Sequence, residues 1–441
     1  MELNDTRIVT AVIASISWWI FPQGGGSAGV QAAPSFEHVS VNNSGEGAND
    51  LSLGVDITSD GNKVAFFSGA TNLAKGGGGQ AFLRNRMAGR TIVVSRSSSG
   101  AIPKLGSTFV RISPNGRFVS FCTTDPNVVK PDRFMQIFPP PVEDRYMDLF
   151  VRDLERRITR RVSTSFRGGM ANGYSCGHRM ANDGDIVFVS KASNLVRGDT
   201  NKEQDVFYYD WGRDQVHRVS VSSSGQQADG KTDVPGLSAD SRVVVFHGFT
   251  DNLTRDDPPS GPHLFVHLPG SGRTIRLPEP EGVGDGLCFF GGNKHLSREG
   301  RFVLFSCWPS HPPPPGEGGI GSAQHLYLYD RITKIHKRVT PVSLHEQYGG
   351  PVSGWDLSHD ARYVSWCTSN VYSDDDRNHS YDLFVRDMWS GTIRRIYAEP
   401  DYGLGHQCAS ALTRSAVAFL TDRPFSPVDT NDTLDVYLTK L

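Results

Sequence analysis

From about residue 34 onward, apolar and polar positions alternate with a period of two. In Arg117-Phe118-Val119-Ser120-Phe121, Val303-Leu304-Phe305 and Tyr363-Val364-Ser365-Trp366 the β-branched and aromatic residues dominate, as in half-buried strands. No stretch beyond the first 33 residues keeps a helical period. Two phrases recur. One is Leu149–Asp153, Val206–Asp210 and Leu383–Asp387, with weaker copies at Ala81–Asn85, Leu264–Leu268, Leu326–Asp330 and Val436–Lys440. Each follows a phrase of the type Ser-x-Asp/Asn-Gly-Arg-x-Val-x-Phe, aligned at Ser59, Ser113, Ala181, Ser238, Ser297, Ser358 and Thr413.

Seven copies spaced 54 to 68 residues apart predict a repeat architecture. Each copy reads as four short strands. A leads into the Asp-Gly turn, B is Arg-x-Val-x-Phe, C is the Asp-Leu-Phe-Val-x-Asp phrase, and D ends in Arg-Val-Ser, as at Arg161–Ser163 and Arg218–Ser220. Four antiparallel strands repeated radially predict an all-β fold, a seven-bladed β-propeller over residues 34–441. The seventh copy stops after strand C, and an orphan D strand, Glu37–Val41, precedes the first copy. Placing that strand on the last blade closes the ring and removes its exposed edges.

Composition adds a compartment and narrows the partners. The chain has 441 residues, 37% hydrophobic, with 47 glycines and 26 prolines, which suits many turns. A formal net charge of -2 with scattered basic residues gives no nucleic acid or anionic membrane as partner. Ile8–Phe21 is an uncharged apolar stretch of 14 residues, too short to span a bilayer. With the small residues at Val30–Ala33 it makes residues 1–33 a signal peptide or N-terminal apolar segment. The expectation is a secreted or periplasmic monomer without a stable membrane span.

Ser-x-Asp-Gly-Arg-x-Val-x-Phe, the Ala192–Asn201 segment and the Asp-Val-Phe phrase resemble the TolB-type propeller repeat of bacterial envelope and secreted proteins. The resemblance covers about residues 36–441. It implies the fold, and a range of roles: binding scaffolds, lyases and accessory domains of peptidases. TolB itself is similar to a six-bladed ring with an extra N-terminal domain, so a role in the Tol system is not carried over to seven copies.

The six cysteines fall at repeating places. Cys122 and Cys367 each lie nine residues after their turn serine, while Cys176 and Cys408 lie five before the next anchor. Cys122–Cys176 and Cys367–Cys408 are therefore equivalent links between neighbouring blades. Cys288 and Cys307 remain, at the start of strand A and the end of strand B of blade 5. All three pairs are expected as disulfides on one rim.

That rim also carries the departures from the repeat. Blade 2 inserts Asp125–Asp144, with Phe134 and Phe138. Blade 5 inserts Pro309–Ser322 after Trp308. Three B–C loops share Asp-x-Asn-x-x-x-Asp: Asp199, Asn201 and Asp205; Asp376, Asn378 and Asp382; Asp429, Asn431 and Asp435. Alternating oxygens in a tight loop make calcium the candidate cofactor. The same residues equally cap turns and tie strand C to its neighbour.

On strand A, His178 lies three residues before Ala181, and Lys294, Trp355 and Asp56 share that place in blades 5, 6 and 1. His295 and His406 lie nearby. His178, Lys294, His295 and His406 are the candidate catalytic residues of a central funnel. Trp355, His178, Phe134, Phe138 and Trp308 are the candidate ligand contacts. No HExxH, paired CxxC or P-loop is present. Two functions stand. One is an exported scaffold that binds a protein or glycan through the loop-rich rim and funnel. The alternative is a polysaccharide lyase, or another enzyme, using channel-facing His, Lys and Asp.

Overall fold

The structure is a computed structural model that describes residues 35–129, 146–255, 262–283, 287–308, 324–341, 351–370, 372, 381–398 and 409–441. The segment 1–33, Phe134, Phe138, Asp376, Asn378, His406 and Cys408 lie outside the described residues. Seven four-stranded antiparallel sheets form a β-propeller. Blade 1 runs Ser52–Ile57, Lys63–Ser68, Gln80–Asn85 and Arg90–Val93 from the axis outward. The seventh blade has Ser410–Leu412, Ala416–Thr421 and Asp435–Lys440, and takes its outermost strand, Phe36–His38, from the other end of the chain. Closure by the orphan strand is thus as the repeat count required.

The repeated phrases have a packing cause. The aromatic that ends the strand B phrase, Phe in six blades and Trp366 in blade 6, packs on the aromatic of the strand C phrase in every blade. The seven pairs are Phe66–Phe82, Phe121–Phe150, Phe188–Phe207, Phe246–Phe265, Phe305–Tyr327, Trp366–Phe384 and Phe419–Tyr437, with ring centroids 5.4–6.5 Å apart. Such a pair contributes about 0.5–1.5 kcal/mol beyond the area it buries. The Arg of the strand B phrase reaches the closing Asp of strand C: Arg117–Asp153 at 2.7 Å, Arg301–Asp330 at 2.6 Å and Arg362–Asp387 at 2.8 Å. The turn serine accepts a repeated role too, Ser113, Ser238 and Ser358 each donating to the Asn or Asp two residues on at 2.7 Å.

Two of the three expected disulfides join described residues. Cys122–Cys176 links strand B of blade 2 to strand A of blade 3, and Cys288–Cys307 crosses strands A and B within blade 5. Cys367 is also disulfide-bonded, and its expected partner Cys408 lies outside the described residues.

Innermost strands break the simple alternation. In blades 1, 2, 3, 4 and 6 the pairing of A with B carries a bulge, between Leu53 and Asp56, Thr108 and Arg111, Cys176 and His178, Asp233 and Gly236, and Ser353 and Asp356. The bulge residue has positive φ: Gly54 (62°), Phe109 (52°), Gly177 (55°), Val234 (46°) and Gly354 (56°). A bulge moves every following side chain to the other face. That governs what reaches the axis.

Candidate functional site

After the bulge, the next residue turns into the space between blades and the one beyond it faces the axis. His178, Val55, Val110 and Trp355 take the first place and are buried. Asp56, Arg111, Arg179 and Asp356 take the second, each paired with the same position of strand B (Ala65, Ser120, Val187, Ser365). This corrects the expected funnel. Arg179, not His178, points inward, and Asp56 is equivalent to Arg179 rather than to His178. For His178 the physical reason is the bulge, which a period of two does not anticipate; for Asp56 it is that Thr58, bonded to Asp60 as Ser113 is to Asn115, and not Ser59, is the turn residue of blade 1.

His178 Nε2 lies 2.8 Å from Ser120 Oγ, and its Nδ1 lies 3.8 Å and 3.7 Å from the sulfurs of Cys122 and Cys176. It is wedged against the disulfide between blades 2 and 3. Burial, reinforced by Arg111 and Arg179, holds its pKa well below the usual histidine range, so it is neutral. Trp355 is likewise buried, in the apolar cluster of blade 6.

Blade 5 departs most. Its residues 288–296, nine in number, occupy the length that 52–57, six residues, fill in blade 1. The three extra residues swell the bulge into a loop, Phe290–Asn293, that crosses the axis. Asn293 N donates to Trp355 O at 3.0 Å, and its Nδ2 donates to Val55 O at 3.3 Å and to Ser410 O. Arg179 answers from blade 3, donating through Nη2 to Gly292 O at 2.6 Å and through Nε to Asn293 O. Asn293 thereby contacts blades 1, 3, 6 and 7 from blade 5. The glycines are required: a Cβ on Gly292 would lie 2.0 Å from Trp355 O, and one on Gly291 2.7 Å from the Trp355 ring.

On the turn side of this plug sits a charged cluster. Lys294 Nζ lies 3.2 Å from Asp356 Oδ2 and 3.9 Å from Asp56 Oδ1, and donates to Leu412 O at 3.2 Å. Asp56 and Asp356 also accept from the next blade, from Ile112 N at 3.0 Å and Leu412 N at 2.5 Å. Burial raises the Asp356 carboxyl to about 6, and burial lowers Arg179 to about 9. His295 is 1% exposed, and neither ring nitrogen has a hydrogen-bond partner among the described residues. Asp56, Arg111, Arg179, Lys294 and His295 line a cavity of about 40 Å³, room for a water molecule or a small ion and not for a sugar ring. The structure therefore brings Lys294 and His295 together, and keeps His178 and Trp355 apart from them.

Toward the disulfide-rim ends of the strands stand two exposed aromatics. Phe109 stands on the innermost strand of blade 2, 49% exposed. Phe249, at the end of strand B in blade 4, is also 49% exposed, packed edge-on to His247 at 4.9 Å, which in turn meets Phe289 at 5.3 Å. Trp308 closes strand B of blade 5 and is half-buried. Lys231 and Asp233 pair at 2.9 Å beside them. A bulky residue with positive φ is strained, and Phe109 occupies a place where blades 1, 3 and 6 have glycine. Sequence reading missed Phe109 and Phe249; a Phe at a glycine position of the repeat was the available signal.

The Asp-x-Asn-x-x-x-Asp loops are built as follows. In blade 3, Arg218 Nη2 lies 3.4 Å from Asp199 Oδ2, and its Nε 3.5 Å from Asp205 Oδ2. Gln227 Nε2 bonds both carboxylates at 3.2 Å, and Ser220 donates to Asp205 at 2.7 Å. A guanidinium fills the space between the acids. Asn201 accepts from Glu203 N and donates to Ala228 O; Asn431 likewise accepts from Thr433 N and donates to Ala48 O. Both asparagines are turn and loop staples. In blade 6, Asp382 pairs with Arg395 at 2.5 Å.

Larger clefts lie elsewhere. One of about 1470 Å³ sits between the outer strands of blades 3 and 4, and a counterpart of about 700 Å³ between blades 2 and 3. They are the wedges that radial blades leave as they diverge.

The sequence matches no protein-family model and no curated protein. Solved structures are similar in fold. An oligogalacturonate lyase in complex with manganese aligns with TM-score 0.52 and 12% identity over 93% of this chain and 96% of its own. The β-propeller domain of the Trilobed protease from Pyrococcus furiosus gives 0.48 and 13% over 85% and 90%. A structure ascribed to TolB from Agrobacterium tumefaciens gives 0.36 and 10% over 89% and 91%. At such identities the likeness concerns the fold alone, a β-propeller of four-stranded blades.

Proposed function

We infer that the chain is an exported binding scaffold whose ligand, a protein or a glycan, seats in the cup of the disulfide rim. The observation that carries this reading is the plug. Gly291–Asn293 closes the channel beneath a mouth where Phe109 and Phe249 are exposed, so the rim offers a floored cup instead of a passage. Phe109 supports it further, because strain kept at an exposed position is the signature of a contact surface. The expected insertions Asp125–Asp144 and Pro309–Ser322 lie largely outside the described residues, and their place on this rim is part of the proposal. Export is supported by the disulfides and by the apolar segment at residues 8–21; no described helix is long and apolar enough to cross a membrane.

The test is a panel of purified polysaccharides and envelope proteins titrated against the full chain and Phe109→Ala. Retention of a defined ligand, weakened at least tenfold by the substitution, supports the reading. Equal binding by both proteins contradicts it.

A second reading, a polysaccharide lyase, is favoured by one observation: the unpartnered His295 beside Arg111, Arg179 and Lys294. It requires the plug to open, since a 40 Å³ cavity holds no saccharide. Release of unsaturated oligosaccharides from polygalacturonate, lost in His295→Ala, would establish it.

A further inference from the structure

The place held by Arg218 in blade 3 is held in blade 7 by His38. The outermost strands align residue for residue, His217-Arg218-Val219-Ser220 with Glu37-His38-Val39-Ser40, and the paired acids Asp199 and Asp205 correspond to Asp429 and Asp435. The serine bond repeats, Ser40 Oγ donating to Asp435 Oδ1 at 2.5 Å. Two donors do not repeat. The guanidinium becomes an imidazole, and Gln227, which bonds both acids in blade 3, corresponds to Gly47, as the matching bridges Val221–Gln227 and Val41–Gly47 show. Gly47 has no room for a side chain: a Cβ there would lie 2.3 Å from Val428 O and 3.2 Å from the His38 ring.

Two carboxylates thus face one imidazole with a permanent cation removed. His38 Nε2 lies 3.5 Å from Asp435 Oδ1, and one ligand atom from each of His38, Asp429 and Asp435 falls within 4.8 Å of the others. Asp435 is 0% exposed, and its Oδ2 has no hydrogen-bond partner among the described residues; His38 Nδ1 has none either. The surroundings hold the ligands in place. Tyr437 stacks on the His38 ring at 4.7 Å and donates to Asp429 Oδ2 at 2.6 Å, the outer contact that orients a metal ligand.

We propose that His38, Asp429 and Asp435 bind one divalent metal ion that latches the N-terminal strand to the last blade. The charge is right, because a 2+ ion offsets two carboxylates beside a neutral imidazole. The donor set of one nitrogen and two carboxylate oxygens suits Zn2+ or Mn2+ better than Ca2+, which takes oxygen ligands. Asn431, engaged as a loop staple, is not a ligand. The site is also a seam. His38 belongs to strand Phe36–His38, while both acids come from the far end of the chain, so binding couples directly to ring closure.

The test uses the full chain, oxidised and treated with a chelator, titrated calorimetrically with ZnCl2, MnCl2 and CaCl2. The expected result is one Zn2+ or Mn2+ per chain, Ca2+ at least tenfold weaker, and a rise in melting temperature on loading. His38→Ala and Asp429→Asn weaken binding at least tenfold, while Asp199→Asn in blade 3 leaves it unchanged. His38→Arg, which copies blade 3, abolishes binding yet melts no lower than the metal-free chain, separating loss of the site from loss of the fold. Failure of Zn2+ and Mn2+ to bind stoichiometrically overturns the proposal, as does binding that persists in His38→Arg and Asp429→Asn, or a preference for Ca2+.

Discussion

Arg179 of blade 3 reaches across the axis and donates to the main-chain carbonyl of Asn293 on blade 5. Neighbouring blades in a propeller touch by packing; these two are not neighbours, and a guanidinium joins them through the channel. The contact is made possible by three residues inserted into one inner strand and by two glycines that let the loop pass Trp355. It ties the ring together across its axis.

The plug has a measurable stability consequence. Asn293→Ala strands the carbonyls of Val55 and Ser410, at a cost of about 1–3 kcal/mol. Gly292→Ala forces a Cβ into Trp355 O at a positive φ of 77°, and overpacking of that kind costs about 1–3 kcal/mol or more. Urea midpoints check both; values within 0.5 kcal/mol of the parent, on the scale of ordinary surface changes, would mean the loop bears no load.

Phe109 separates stability from binding. Phe109→Gly relieves a positive-φ side chain while losing little burial, so the chain is expected to be unchanged or up to about 1 kcal/mol more stable. Ligand binding should weaken at least tenfold. Destabilisation with intact binding would make Phe109 a structural residue.

The bridges should differ with loop length. Cys122–Cys176 closes 54 residues and Cys288–Cys307 closes 19. Chain-entropy reasoning gives about 4 and about 3 kcal/mol for paired replacement by alanine. Non-reducing peptide mapping should also return Cys367 joined to Cys408; another partner would break the equivalence of blades 2–3 and 6–7.

Acid should weaken the fold before its carboxylates are fully protonated. His247, His267 and His325 are held at about 4 by burial, and His178 and His295 well below the usual range for the same reason. Their folded values lie below the unfolded value, so the unfolded chain binds more protons, and stability present above about pH 6.5 is lost as pH falls toward 4. A shift of that size corresponds to about 3 kcal/mol per histidine. Asp148, Asp205 and Asp356, raised to about 6 by burial, oppose this by favouring the fold as pH falls below 6. With His336 and His359 also lowered by burial, and Asp185 and Asp429 also raised, seven histidines outweigh five carboxylates. Unfolding free energy should fall between pH 7 and 4.5, less steeply in His267→Gln; a flat or rising profile would contradict the assignment.

Much of the scaffold was legible because each repeated residue has one structural job. The Phe of strand B and that of strand C stack on each other, and the Arg of strand B meets the last Asp of strand C, so repetition of the letters meant repetition of the sheet. Closure and the bridges Cys122–Cys176 and Cys288–Cys307 followed from counting. The site was less legible. Alternation assigns faces only while a strand is regular, and the bulges at Gly54, Phe109, Gly177, Val234 and Gly354 reverse it, which is why His178 was expected in the channel and Arg179 was not. The plug was hidden because Gly291-Gly292-Asn293 reads as an ordinary turn. The cation between Asp199 and Asp205 was within reach, since Arg218 recurs at the end of strand D.

The proposed binding function lies at the rim and not in the channel. Titrating one retained ligand against Phe109→Ala and His295→Ala side by side tests this most directly. The rim variant is expected to lose at least tenfold in affinity and the channel variant to stay within about twofold, less than 0.5 kcal/mol. The reverse order, binding or turnover lost in His295→Ala and kept in Phe109→Ala, would contradict it.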